Sequence, residues 1–195
     1  MVFSSSEDYM SAELNGLLSP FLRQQRIRAA RPYLRGRILD WGCGNGSLCE
    51  SVGASHYIGV DINPQIIEAA RHKYIGTTFY ILDEFIDFTH HKMFDTVAAL
   101  AVIEHLPEPS GFIHRMEQLL VPNGRLVLTT PNPMLDWVHG LGGLIGLFAK
   151  ESHQEHQSLM DRSGITQAAL EGGMVLETYT RFLLGANQLA ILRKG

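Results

Sequence analysis

The sequence predicts an α/β fold: a doubly wound, seven-stranded sheet that is mostly parallel and ends in an antiparallel hairpin. Three observations carry this. Residues 36–63 read as an apolar strand (Ile38, Leu39), a glycine-rich turn (Asp40-Trp41-Gly42-Cys43-Gly44-Asn45-Gly46), a helix from about Ser47, and a second strand (Tyr57 to Val60) ending at Asp61. That is a βαβ unit, which joins parallel strands. Phe94 to Val102 is the most continuous apolar run, the composition of a parallel strand buried on both faces. Met174 to Phe182 and Gln188 to Arg193 read as two last strands joined by a tight connection near Gly185, and a connection that short implies an antiparallel pair.

Composition bounds the function. With 195 residues, 45% hydrophobic and 18% charged, the chain reads as one globular domain spanning residues 1–195, with a single sizeable core. A net charge of −4 gives no general attraction to nucleic acid, whose partners are usually strongly basic. Cys43 and Cys49, six residues apart, form neither a disulfide framework nor a Cys-x-x-Cys site, so a reducing, cytoplasmic setting is the simplest reading. The start, MVFSSSEDYM, has no basic and apolar leader pattern. The longest apolar run, Leu141 to Ala149, is about half of what a membrane-spanning helix needs.

Residues 1–30 read as an N-terminal helical segment. From Phe21 to Leu34 the pattern is helical, and six arginines fall within fifteen residues, Arg23 to Arg37; such a run is usually a solvated helix face. At the turn, glycines 42, 44 and 46 remove every second side chain, so the main chain can take positive φ and come close to a ligand. The following helix points its free N–H groups to the same spot. Asp61 ends the second strand, where open α/β sheets bind ligands and where a carboxylate can take both hydroxyls of a ribose. A nucleoside-containing cofactor is therefore expected.

The dinucleotide fingerprint G-x-G-x-x-G would put its third glycine where Ser47 stands, and no Gly-Lys-Ser/Thr follows the glycines as a P-loop needs. The signature D-x-G-x-G-x-G instead resembles the first motif of the class I S-adenosylmethionine-dependent methyltransferases, which ILDWGCGNG matches residue for residue. Their second motif, an acidic residue ending the next strand, is matched by YIGVDIN. The chain is similar in particular to the small-molecule, ubiquinone-pathway-like group. The resemblance implies a Rossmann-like fold with S-adenosylmethionine as cofactor and S-adenosylhomocysteine as product.

Downstream, Asn63-Pro64 caps a helix to His72 that turns Ile66, Ile67 and Ala70 to the sheet. Thr78 to Leu82 reads as a strand ending at Asp83-Glu84, where the family holds an acidic residue beside the adenine. Phe85 and Ile86 follow, as adenine walls or as core. Ile103-Glu104-His105-Leu106-Pro107 is similar to the E-H-L-P of small-molecule members, which places Glu104 and His105 at the methyl-transfer rim. Pro109 to Val121 reads as a helix, Pro122-Asn123-Gly124 as a turn, and Gly124 to Thr130 as a strand. GRLVLTTPNP again resembles the family, and Thr166 to Glu171 reads as a short helix. The resemblance implies a cofactor set of Asp40, Gly42, Cys43, Gly44, Asn45, Gly46, Asp61, Ile62, Asp83, Glu84 and Ala101.

The cofactor brings its own activated methyl, so the protein need only bind, orient and desolvate. A general base is needed when the acceptor is a hydroxyl, and His105 and His156 are the candidates. Some relatives bind a divalent metal here through glutamates three apart and histidines. Glu104, His105 and His156 match part of that set, but Ala101 stands where a glutamate is needed, so no metal site is assigned. Residues 134–162, with Trp137, His139, the run LGGLIGLFA and His153-x-x-His156, read as a substrate cap for a small acceptor of apolar, aromatic or lipid-linked character. The alternatives are a non-catalytic cofactor-binding subunit and an NAD-dependent oxidoreductase.

Overall fold

The computed structural model describes residues 19–53, 56–88, 94–133 and 159–194. Strand β1 (Ile38–Trp41) is buried at every position, as a strand covered on both faces must be. It pairs in parallel with β2 (Tyr57–Asp61) on one side and β4 (Phe94–Leu100) on the other. β3 (Thr78–Ile81) extends the sheet beyond β2, and β5 (Leu120–Pro131) extends it beyond β4, both in parallel. β7 (Asn187–Lys194) lies antiparallel between β5 and β6 (Met174–Phe182), giving the order β3-β2-β1-β4-β5-β7-β6. The seven-stranded, mostly parallel sheet with its terminal hairpin is the expected one. Leu183, Leu184 and Gly185 close that hairpin at φ of 53°, 55° and 90°.

The period of two along each strand assigns side chains to two layers. Ile38, Tyr57 and Ala98 face helices α1 (Ser19–Ala30) and α3 (Pro64–Lys73) through Ile27, Ile67 and Ala70. Ala30 continues that layer against Val127 and Ile191. On the other side Leu39, Val97, Leu126 and Leu192 pack against Ile113 and Met116 of α5 (Pro109–Leu119) and Ile165 of α6 (Arg162–Glu171). The chain winds outward from β1 to β3 and then returns to β4 beside β1. The carboxyl ends of β1 and β4 are therefore the switch point where such sheets bind ligands.

Several boundaries differ from expectation for local reasons. After the glycine turn the helix is a single turn, α2 (Cys49–Val52), stopped by Gly53 at φ 86°. β3 ends at Ile81 because Leu82 begins α4 (Leu82–Phe88), with Asp83 and Glu84 in its first turn, where carboxylates suit the helix dipole. β4 ends at Leu100, since Ala101 adopts φ 59°. Pro122-Asn123-Gly124 does turn, with Asn123 at φ 61°, but as an excursion inside β5 between the partners of Phe94 and Thr96. Asn63 caps α3 as predicted, accepting from Gln65 and Ile66 N–H; Ile67 and Ala70 are buried, and Ile66 is half-buried. Among the described residues no helix is long and apolar enough to cross a membrane.

Candidate functional site

The turn after β1 is stitched to the end of β2. Gly42 and Cys43 N–H both donate to Val60 carbonyl oxygen, at 2.8 and 3.0 Å. Gly44 N–H donates to Asp61 Oδ2 at 2.9 Å, and Asn63 N–H donates to Asp61 Oδ1 at 3.0 Å. The Asp61 carboxylate is thus fixed by two main-chain donors between turn and loop, and each oxygen keeps a lone pair for a further donor. Glycines 42, 44 and 46 have φ of 74°, 51° and 77°, a region that side-chain-bearing residues avoid. Their surroundings differ. A Cβ at Gly42 would lie 2.6 Å from Val102 Cγ2, and one at Gly46 would lie 2.8 Å from Phe79, whereas one at Gly44 would meet nothing within 4 Å. The first and third glycines serve packing; the middle one faces open space. Cys43 is buried, and Asn45 is exposed and accepts from the Ser47 hydroxyl.

Beneath the turn Asp40, 3% exposed, accepts a 2.6 Å hydrogen bond from Tyr57 Oη. Burial pushes the Asp40 carboxyl up to about 7, with Tyr57 pulling down and Asp61 pushing up. Burial likewise pushes the Cys43 thiol well up, as does the nearby Asp40, which makes it inert at neutral pH. The consequence for stability has a definite sign. The folded state holds a proton on Asp40 that the unfolded chain, near 3.8, has released, so this group's contribution falls as pH rises from about 4 to about 7. Asp40→Asn is therefore expected to raise the melting temperature at pH 8 relative to wild type and to narrow that gain at pH 5. An equal effect at both pH values would show that Asp40 titrates normally.

Around the rim, Ile62 is 59% exposed beside Asp61. Asp83 is exposed. Glu84 accepts from Arg71 Nη2 at 2.7 Å and from Ile81 N–H at 3.1 Å. The Ile81 N–H bond and then Arg71 hold its carboxyl below the usual range. Phe85 belongs to the core, 1% exposed and 5.9 Å edge-on from Trp41. Ala101 N–H donates to Thr129 carbonyl oxygen at 2.9 Å, which pins the left-handed residue ending β4. The 3-10 turn Ile103–His105 follows, with Glu104 1% exposed and His105 half-buried. His156, with Trp137, His139 and His153, lies outside the described residues. Among the described residues no cluster of three His, Cys, Asp or Glu is arranged to hold a metal.

A model of the methyltransferase-domain family matches residues 12–178 of the chain. The chain belongs to this family. The chain is 30% identical over 144 residues to the ubiquinone biosynthesis O-methyltransferase of Xylella fastidiosa, covering 68% of this chain and 58% of that protein. To the mitochondrial ubiquinone biosynthesis O-methyltransferase of Bos taurus it is 28% identical over 188 residues, covering 82% of this chain and 50% of the other. It therefore spans between half and six-tenths of the length of these two relatives. Its fold is that of the class I S-adenosylmethionine-dependent methyltransferases. It superimposes on magnesium protoporphyrin IX methyltransferase from Synechocystis, solved with bound S-adenosylhomocysteine, with a TM-score of 0.66 and 21% identity, over 90% of this chain and 84% of that one. A Pyrococcus horikoshii protein gives a TM-score of 0.72 and 17% identity, over 98% of this chain and the whole of that one.

Sequence reasoning passed over residues that shape the glycine turn and its surroundings. Tyr57 reaches Asp40 across the β1–β2 pair. Gly59 leaves room for Phe79 and Cys43, which a Cβ there would meet at 2.6 and 3.0 Å; a glycine inside YIGVD was the available signal. Among the described residues Glu104 Oε2, Thr129 Oγ1, Thr130 Oγ1 and Asn187 Nδ2 are buried without a hydrogen-bond partner. All four lie near the carboxyl ends of β4 and β5, where β7 begins antiparallel to β5.

Proposed function

We propose that the chain binds S-adenosylmethionine across the glycine turn and Asp61 and transfers its methyl to a small-molecule acceptor. The observation that carries this is the pairing of Gly44 N–H with Asp61 Oδ2 next to open space in front of Gly44. Main chain can approach a ligand there while a fixed carboxylate awaits the ribose hydroxyls. The residues present suit the group. Gly42, Cys43, Gly44, Asn45 and Gly46 form the cradle, Asp40 lies beneath it, Ile62, Asp83 and Glu84 border the nucleoside end, and Ala101 borders the methyl end. When bound, the cofactor supplies an activated methyl on a sulfonium. The chain's own work is then to align the acceptor, for which ~7–11 kcal/mol of barrier reduction is attainable from proximity, and to exclude water.

The orphaned Glu104 Oε2, just beyond the carboxyl end of β4, supports an acceptor bearing a hydroxyl or other polar group, since buried polar groups are rarely left unpaired. His105, on the same rim, and His156 in the cap are the proposed bases for a hydroxyl acceptor. The domain reads as a single unit with residues 134–162 as the substrate cap. The apolar run from Leu141 to Ala149 and the similarity to ubiquinone biosynthesis O-methyltransferases favour an aromatic acceptor, free or carried on a lipid tail. The two buried free cysteines suit a reducing compartment such as the cytoplasm.

The test is methyl transfer to hydroxylated aromatic compounds with and without an apolar tail, in wild type and in a variant with residues 138–150 replaced by a short Gly-Ser bridge. Wild type is expected to methylate the tailed acceptors. The deletion is expected to bind S-adenosylhomocysteine within a few-fold of wild type while losing transfer. Retained transfer would show that the cap is not the acceptor site.

A further inference from the structure

We infer that Tyr57 is a positioning residue for the cofactor: its hydroxyl holds Asp40 Oδ2 beneath the glycine turn and leaves Oδ1 to a cationic ligand, so that cofactor affinity follows the protonation of Asp40. The inference rests on the reading of the turn as the S-adenosylmethionine site. Tyr57 opens β2 on the same face as Ile38 and Asp40 and is 2% exposed. Its ring packs edge-on against Phe79 at 5.7 Å, and its hydroxyl donates the 2.6 Å bond to Asp40 Oδ2 from a buried position. Among the described residues Oδ1 accepts no hydrogen bond from the protein.

Among the described residues the titratable groups acting on this pair are all neutral or acidic. Asp61 lies at the end of β2, Cys43 in the turn and Cys49 in α2. Among the described residues no Lys, Arg or His contributes to the electrostatics of this pair. An ionised carboxylate buried without a cation is expensive, and among the described residues the Tyr57 donor is the group that favours its charged form. The missing counter-charge then has to arrive with the ligand. S-adenosylmethionine carries a sulfonium and an ammonium against one carboxylate, a net cation, whereas S-adenosylhomocysteine is neutral overall. The site is thereby built to prefer substrate over product once Asp40 is ionised, and to lose that preference when it is protonated.

Calorimetric titration of S-adenosylmethionine and S-adenosylhomocysteine from about pH 5.5 to 9 tests this. In wild type the affinity for S-adenosylmethionine is expected to rise roughly tenfold or more as pH rises through about 7, with S-adenosylhomocysteine changing less. Tyr57→Phe, checked for folding by its thermal melt, is expected to move the midpoint up by about one pH unit or more, and Asp40→Asn is expected to flatten the profile. Difluorotyrosine at position 57 is a stronger donor that preserves shape, and it should move the midpoint down even if Tyr57→Phe folds poorly. A wild-type profile that rises with pH while neither Tyr57 change moves its midpoint overturns the positioning role. A flat wild-type profile overturns the coupling to Asp40, and failure of either ligand to bind at any pH overturns the cofactor reading itself.

Discussion

Asp61→Ala is expected to weaken S-adenosylmethionine binding by ~1.5–3 kcal/mol, the size of hydrogen bonds to a charged group. Two effects add in the same direction. The variant removes the acceptor for the ribose hydroxyls, and it releases Gly44 and Asn63 N–H from the carboxylate that now aligns them. Because Asp61 is only half-buried, folding should survive and the melting temperature should move little. Titration of the folded variant with unchanged affinity would remove Asp61 from the cofactor site.

Gly44→Val is expected to abolish cofactor binding with a modest loss of stability. At φ 51° a β-branched residue is strained by about 1–3 kcal/mol, yet its Cβ meets no protein atom within 4 Å. The space it fills is the space the ligand needs. Gly42→Val is the informative contrast. There a Cβ would lie 2.6 Å from Val102, so the loss should appear mainly in the thermal melt. Normal binding by a folded Gly44→Val would place the cofactor elsewhere.

The parts of the fold that were legible in the sequence are those with long or punctuated signals. β6 runs from Met174 to Phe182 as read, because the segment is rich in β-branched and aromatic residues, Gly172-Gly173 precede it and a tight turn at Gly185 follows. The start of α3 was marked by Asn63 and Pro64, which do cap it. By contrast α4, with seven residues, is too short to show a helical period, and Leu82 read as the end of a strand. In the turn, the glycine spacing and Asp61 could be read as a ligand loop, but not that Gly44 alone of the three glycines faces open space, since that depends on where Val102 arrives from the loop after β4 and Phe79 from β3. The Tyr57–Asp40 bond joins residues seventeen apart in sequence and follows only from the parallel register of β1 on β2. Tertiary pairing of that kind leaves no local pattern to read.

The most direct measurement is calorimetric titration of the wild-type chain with S-adenosylhomocysteine and, separately, with NAD. Saturable one-to-one binding of S-adenosylhomocysteine with no heat from NAD is the expected result. Binding of NAD, or a folded chain that takes up no S-adenosylhomocysteine, would contradict the assignment of the glycine turn and Asp61 as a methyltransferase cofactor site.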